Sequence, residues 1–202
     1  MPFMNERVIF YAVPKTGSSW CVRALPGLTL VGAHHGTPAD VPKEDRAARF
    51  QFCFVRHPLD WLRSFWCDRI QSFGRTGPNT KALLAAGPAF YPPDHLLAPT
   101  FDGFCRNVVN AYPRGYVSQL YQSYVGPYAD ELAFVGRQEK LADHLDVALL
   151  MAGEQRPVRP EGRLNAASED MKAKAAVIGD ETRRRVMLAE GWAMGTFGYG
   201  RT

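Results

Sequence analysis

Two short segments of this 202-residue chain combine residue types that hold anions. The first is Pro14-Lys15-Thr16-Gly17-Ser18-Ser19-Trp20. Lys15 brings a full positive charge, Gly17 permits close backbone approach, and Thr16, Ser18 and Ser19 bring hydroxyl donors. If a helix follows, its first backbone N–H groups add to the field, and the loop forms a cup for phosphate or sulfate. The second segment is Val55-Arg56-His57-Pro58-Leu59-Asp60-Trp61-Leu62-Arg63-Ser64. Arg56 offers a planar fork of donors and Ser64, eight residues later, a hydroxyl, so the pair suits a second phosphate. A structural bridge between Arg56 and Asp60 is the competing reading of that segment.

The first segment is not a Walker A loop, which needs GxxxxGK[ST]; here Lys15 precedes the only glycine. No acidic residue closes the later apolar runs as a Walker B aspartate would, so metal-dependent phosphoryl transfer is disfavoured. A general base for group transfer is sought among five histidines, His34, His35, His57, His95 and His144. Imidazole works near neutral pH with little tuning.

The elements that must position these residues are legible as apolar runs. Val8 to Val13 is a continuous β-branched and aromatic run, read as a strand buried on both faces and ended by Pro14. Trp20 to Leu25 forms a short helix stopped by Pro26-Gly27. Leu28 to Val31 is a second short strand, and 32–49 is polar and turn-rich. Phe50 to Val55 is a core strand, and Pro58 opens an amphipathic helix to Ser72 on Leu59, Leu62, Phe65, Trp66 and Ile70. The stretch 73–99 reads as loop, followed by helices over 101–111 and 116–124. Leu132 to Val135 is a third apolar run, with helices over 138–151, from Ser168, and over 182–194. Strands alternating with helices imply an α/β sandwich with a mainly parallel sheet. In such sheets ligands bind beyond the carboxyl ends of the strands, where both anion segments fall.

Composition agrees with one globular domain over 1–202, with 73–125 as a helical and loop insertion. Apolar residues make up 46% and charged residues 22%, which excludes disordered and fibrous classes. No apolar stretch approaches the ~20 residues that span a bilayer, and Met1 to Arg7 lacks the pattern of a signal peptide. The expectation is a cytoplasmic protein without a membrane partner. Cys21, Cys53, Cys67 and Cys105 form no CxxC pair or zinc spacing and read as buried thiols in a reducing compartment. A net charge of +4 is too mild for duplex nucleic acid but suits a small anionic ligand. Trp20, Trp61, Tyr91, Tyr112 and Tyr116 are candidates to stack on a base or sugar, although Trp61 and Trp66 fit a helix core better. Arg69, Arg75, Lys81, Arg106 and Arg114 either line an acceptor groove or form a solvated surface.

Taken together, Pro14 to Trp20 resembles the 5′-phosphosulfate loop of the sulfotransferases, and Val55 to Ser64 resembles their 3′-phosphate motif. Phe134 to Leu141, Leu164-Asn165-Ala166-Ala167-Ser168 and Phe197-Gly198-Tyr199 are similar to later segments of the carbohydrate, membrane-type and bacterial members. The "RKGxxGDWK"-like segment of the cytosolic small-molecule type is absent. The resemblance implies a P-loop-kinase-like three-layer fold and the donor 3′-phosphoadenosine 5′-phosphosulfate (PAPS). Lys15, Thr16, Gly17, Ser18, Ser19, Trp20, Arg56 and Ser64 would hold that donor, with no metal. It implies a hydroxyl acceptor, a saccharide before a phenol or steroid. It also implies a base histidine about twenty residues before the phosphate-binding arginine. His35 and His34 lie 21 and 22 residues before Arg56, and the turn Gly36-Thr37-Pro38-Ala39 favours His35, with Glu44 in reserve. The rival functions are a small-molecule kinase of P-loop type and a non-catalytic module that binds 3′-phosphoadenosine 5′-phosphate (PAP).

Overall fold

The structure, a computed structural model, describes residues 2–25, 27–31, 36–72, 92–154, 159–161 and 167–200. The chain forms two compact units, Met1–Arg56 with Tyr121–Leu164, and His57–Leu120 with Asn165–Thr202.

The first unit is built on a five-stranded sheet of β1 (Pro2–Met4), β2 (Val8–Tyr11), β3 (Thr29–Leu30), β4 (Phe50–Val55) and β5 (Phe134–Arg137). The strand order is β3-β1-β2-β4-β5. β2, β4 and β5 pair in parallel, while β1 is antiparallel to both of its neighbours, so four strands point one way and β1 opposes them. The protein is therefore an α/β protein with a mixed, mostly parallel sheet. β1 returns into β2 through Asn5, whose side-chain carbonyl accepts from the N–H groups of Arg7 and Val8 at 2.8 and 2.9 Å. That local bond stabilises a turn without any apolar signal.

Side chains alternate across the sheet. Val8, Phe10, Ala12, Phe52 and Phe54 pack on one face with Cys21 and Ala24 of α1 (Ser18–Ala24). Leu145, Ala148 and Leu149 of a second helix complete that cluster. Ile9, Tyr11, Val13, Cys53 and Val55, which alternate with them, are buried as well, as a strand covered on both faces requires. Gly136 is fixed by this packing: a Cβ there would lie 2.4 Å from the Phe54 ring, its partner across the β4–β5 ladder. The polar stretch before β4 contains α2 (Lys43–Ala48), where a loop was expected. It is held from its side by Arg46, which binds Glu131 at 2.7 Å and donates to the carbonyls of Pro38 and Val41.

The second unit is helical. α3 (Pro58–Ser72) packs against α4 (Phe101–Ala111). α5 (Tyr116–Val125) starts in this unit and ends in the first, and α6 (Leu141–Met151) is the second helix on the sheet. α7 (Glu169–Ala176) and α8 (Asp180–Ala189) pack on α3 and α4, and α9 (Gly191–Thr196) packs on α8. Trp61 and Trp66 are fully buried, and Trp61 stacks on Phe65 with centroids 5.6 Å apart. These tryptophans are core residues, so Trp61 has no open face for a base or sugar. One helix was expected over 182–194; two are present, separated at Glu190, whose backbone leaves helical geometry. Its carboxylate is buried and accepts from the N–H groups of Val117 and Ser118 at 2.9 and 2.6 Å and from the Ser118 hydroxyl at 2.8 Å. Glu190 thus caps the start of α5. No described helix is long and apolar enough to cross a membrane.

Candidate functional site

The carboxyl ends of β2, β4 and β5 lie side by side, and each is followed or ended by a cation: Lys15, Arg56 and Arg137. β2 leads through Pro14 to Lys15, whose φ of 62° makes it the one non-glycine residue in the left-handed region among the described residues. That backbone costs about 1–2 kcal/mol at a residue with a Cβ, and such strain collects at ligand-gripping turns. Gly17, at φ 88°, precedes α1. The backbone angle itself favours glycine, and a Cβ there would lie 2.6 Å from a Leu141 methyl group of α6, which would have to shift.

The hydroxyls of this loop divide by role. Thr16, fully buried, donates to the carbonyl of Val13 at 2.9 Å, and Ser18 donates to the same carbonyl at 2.6 Å. Both tie the loop back to the end of β2, and neither proton points outward in this arrangement. Ser19 is exposed. Trp20 is half-buried and packs on the sheet core.

Arg56 follows the last residue of β4. One of its terminal nitrogens donates to the carbonyl of Lys15 at 3.4 Å, joining two segments 41 residues apart. Its own backbone is gripped by Tyr121 of α5. The phenol accepts from the Arg56 N–H at 2.9 Å and donates to the Arg56 carbonyl at 2.8 Å. Tyr121 is fully buried. No local pattern marks it, because its partner is 65 residues away.

At the end of β5 the N–H of Arg137 donates to Nδ1 of His144, 2.8 Å away on α6. Burial, and then the charges of Lys140 and Arg137, hold the His144 pKa below its ordinary value. An unprotonated Nδ1 is what that bond requires.

Ser64 lies on α3, half-buried, in the helical unit. In that unit the closing Phe197-Gly198-Tyr199 turn brings the Tyr199 ring edge-on to His57, with centroids 5.3 Å apart. Ser168 caps α7, accepting from the Met171 N–H at 3.3 Å. Of the arginines considered for an acceptor groove, Arg69 pairs with Asp94 and Arg106 with Asp102. Arg114 is exposed, and Arg75 and Lys81 lie outside the described residues. His34, His35 and Tyr91 also lie outside them, as does Asn165. Glu44 is exposed in the first turn of α2.

The four cysteines are buried, and burial pushes the Cys53 thiol up to about 12, far from a reactive thiolate. Among the described residues no group of three or more His, Cys, Asp or Glu is arranged to hold a metal ion. No protein-family model, no curated protein and no solved structure matches the chain.

Proposed function

We propose that the protein is a sulfotransferase that takes PAPS as donor and sulfates a hydroxyl, that of a saccharide. The observation that carries this reading is the bond from the Arg56 guanidinium to the Lys15 carbonyl. It joins the two anion-holding segments at the carboxyl ends of the adjacent parallel strands β2 and β4. One nucleotide bearing phosphates at both its 5′ and 3′ positions has the charge pattern for such a pair of sites. A strained backbone at Lys15 and a left-handed glycine at Gly17 support the loop as a built feature.

In this reading the backbone of residues 16–19 and the Lys15 ammonium face the 5′ end of the donor, and Arg56 takes the 3′-phosphate. The hydroxyls of Thr16 and Ser18 hold the loop instead of the ligand, and Ser19 and the backbone supply the donors. The acceptor oxygen bonds to sulfur as the sulfur–oxygen bond to the 5′-phosphate breaks. The electron pair stays on the phosphate, and the acceptor proton passes to His35 or its neighbour His34, with Glu44 in reserve. Lys15 meets the charge that grows on the leaving oxygen, the kind of stabilisation that acts most in the transition state. The sulfuryl group carries less negative charge than a phosphoryl dianion, so a lysine and backbone donors suffice in the place of a metal.

Incubation with radiolabelled PAPS and mixed saccharide acceptors tests the proposal. Transfer of label to a saccharide hydroxyl is expected. Binding of PAP with no transfer to any hydroxyl acceptor would reduce the protein to a nucleotide-binding module.

A further inference from the structure

We propose that Tyr121 is the positioning residue for Arg56, and that its hydroxyl sets how well the protein distinguishes a nucleotide with a 3′-phosphate from one without. This rests on the donor-site reading above. β4 ends at Val55, paired with Arg137, and Arg56 is the first residue beyond that ladder. Two residues later Pro58 opens α3. At Arg56 the chain passes from the end of the strand towards the helix.

The Tyr121 hydroxyl bonds to both polar groups of the Arg56 backbone. It accepts from the Arg56 N–H at 2.9 Å and donates to the Arg56 carbonyl at 2.8 Å. A single hydroxyl can do this because it is both donor and acceptor, whereas phenylalanine at 121 would offer neither. Both backbone groups being fixed, the Arg56 side chain leaves the sheet edge from a set origin and reaches the Lys15 carbonyl. Tyr121 itself is fully buried on α5, and its hydroxyl holds Arg56 by the backbone.

The test compares wild type and Tyr121→Phe by calorimetry with PAP and with adenosine 5′-phosphate (AMP), which differ by the 3′-phosphate. PAP affinity should fall about tenfold, the scale of one hydrogen bond that aligns a charged group, while AMP affinity changes less than twofold. In an Arg56→Ala background, Tyr121→Phe should cause no further loss of PAP affinity, because the two act as one unit. Equal losses for PAP and AMP, or none for PAP, would overturn the positioning role and leave Tyr121 a packing residue. A wild type that binds PAP no better than AMP would instead overturn the donor reading itself. Amide exchange of the unmutated protein gives an independent check. The Arg56 N–H should exchange as slowly as those of β4, and exchange at the rate of an open loop would contradict the clamp.

Discussion

Replacing Glu190 by alanine removes the acceptor for the Val117 N–H, the Ser118 N–H and the Ser118 hydroxyl at the start of α5. The carboxylate is 2% exposed, so water does not readily take its place. Each buried donor left without a partner costs about 1–3 kcal/mol. The hydroxyl can rotate and already accepts from the Ala193 N–H, so the orphaned backbone donors dominate. Against this, burial raises the Glu190 pKa and outweighs the opposing hydrogen bonds, so deletion also recovers a desolvation cost. The net expectation is a loss of about 3 kcal/mol, close to the lower end for breaking a buried charged interaction. Urea denaturation should show a lower midpoint with an unchanged slope. The sign with pH is also fixed. A carboxyl whose folded pKa is raised above its unfolded value of about 4.5 stays protonated longer in the folded state. Its ionisation therefore subtracts stability as pH rises from about 4.5, and Glu190→Gln should lack that decline. A Glu190→Ala protein within about 0.5 kcal/mol of wild type, the range of an ordinary surface change, would refute the capping role.

Gly17→Ala forces a left-handed alanine against a Leu141 methyl group and should cost about 1–3 kcal/mol by thermal melting, while weakening PAP. His144 has a lowered folded pKa, so its contribution is present above the unfolded value of 6.5 and is lost as pH falls below it. His144→Ala should show a shallower fall in stability on acidification, read from denaturant midpoints across that range. Lys15→Ala should lower turnover more than PAP affinity, and unchanged turnover at saturating donor would contradict its role. His35→Ala should slow transfer by about 10²–10⁴-fold with little change in PAP binding. If His34→Ala shows that loss instead, the base is its neighbour.

The strong elements were legible because their signals are local. The run 50–55 and the proline at 58 give β4 and the start of α3, and the apolar spacing of 101–111 gives α4. β5 lies two residues later than its apolar run. The Leu132 N–H is spent on the Tyr128 carbonyl, and the strand's register is set by Phe52 opposite Phe134. β1 was missed because three residues carry no period, and its signal is the side chain of Asn5. The break in the last helical stretch reflects a bond between Glu190 and residues more than seventy positions away, which no window of sequence contains. The same holds for the site. Lys15, Gly17 and Arg56 were named from spacing and residue type, but their juxtaposition and the grip of Tyr121 are tertiary facts. The structural use of the Thr16 and Ser18 hydroxyls was likewise hidden, since a serine or threonine in a loop can bond outward or back to its own chain.

Calorimetric titration of the full chain with PAP, AMP and ATP, with and without magnesium, tests the central claim most directly. The account predicts that PAP binds most tightly, that magnesium does not alter it, and that Arg56→Ala removes most of its advantage over AMP. ATP binding as tight as PAP or tighter in the presence of magnesium would contradict a sulfotransferase donor site and point to a kinase.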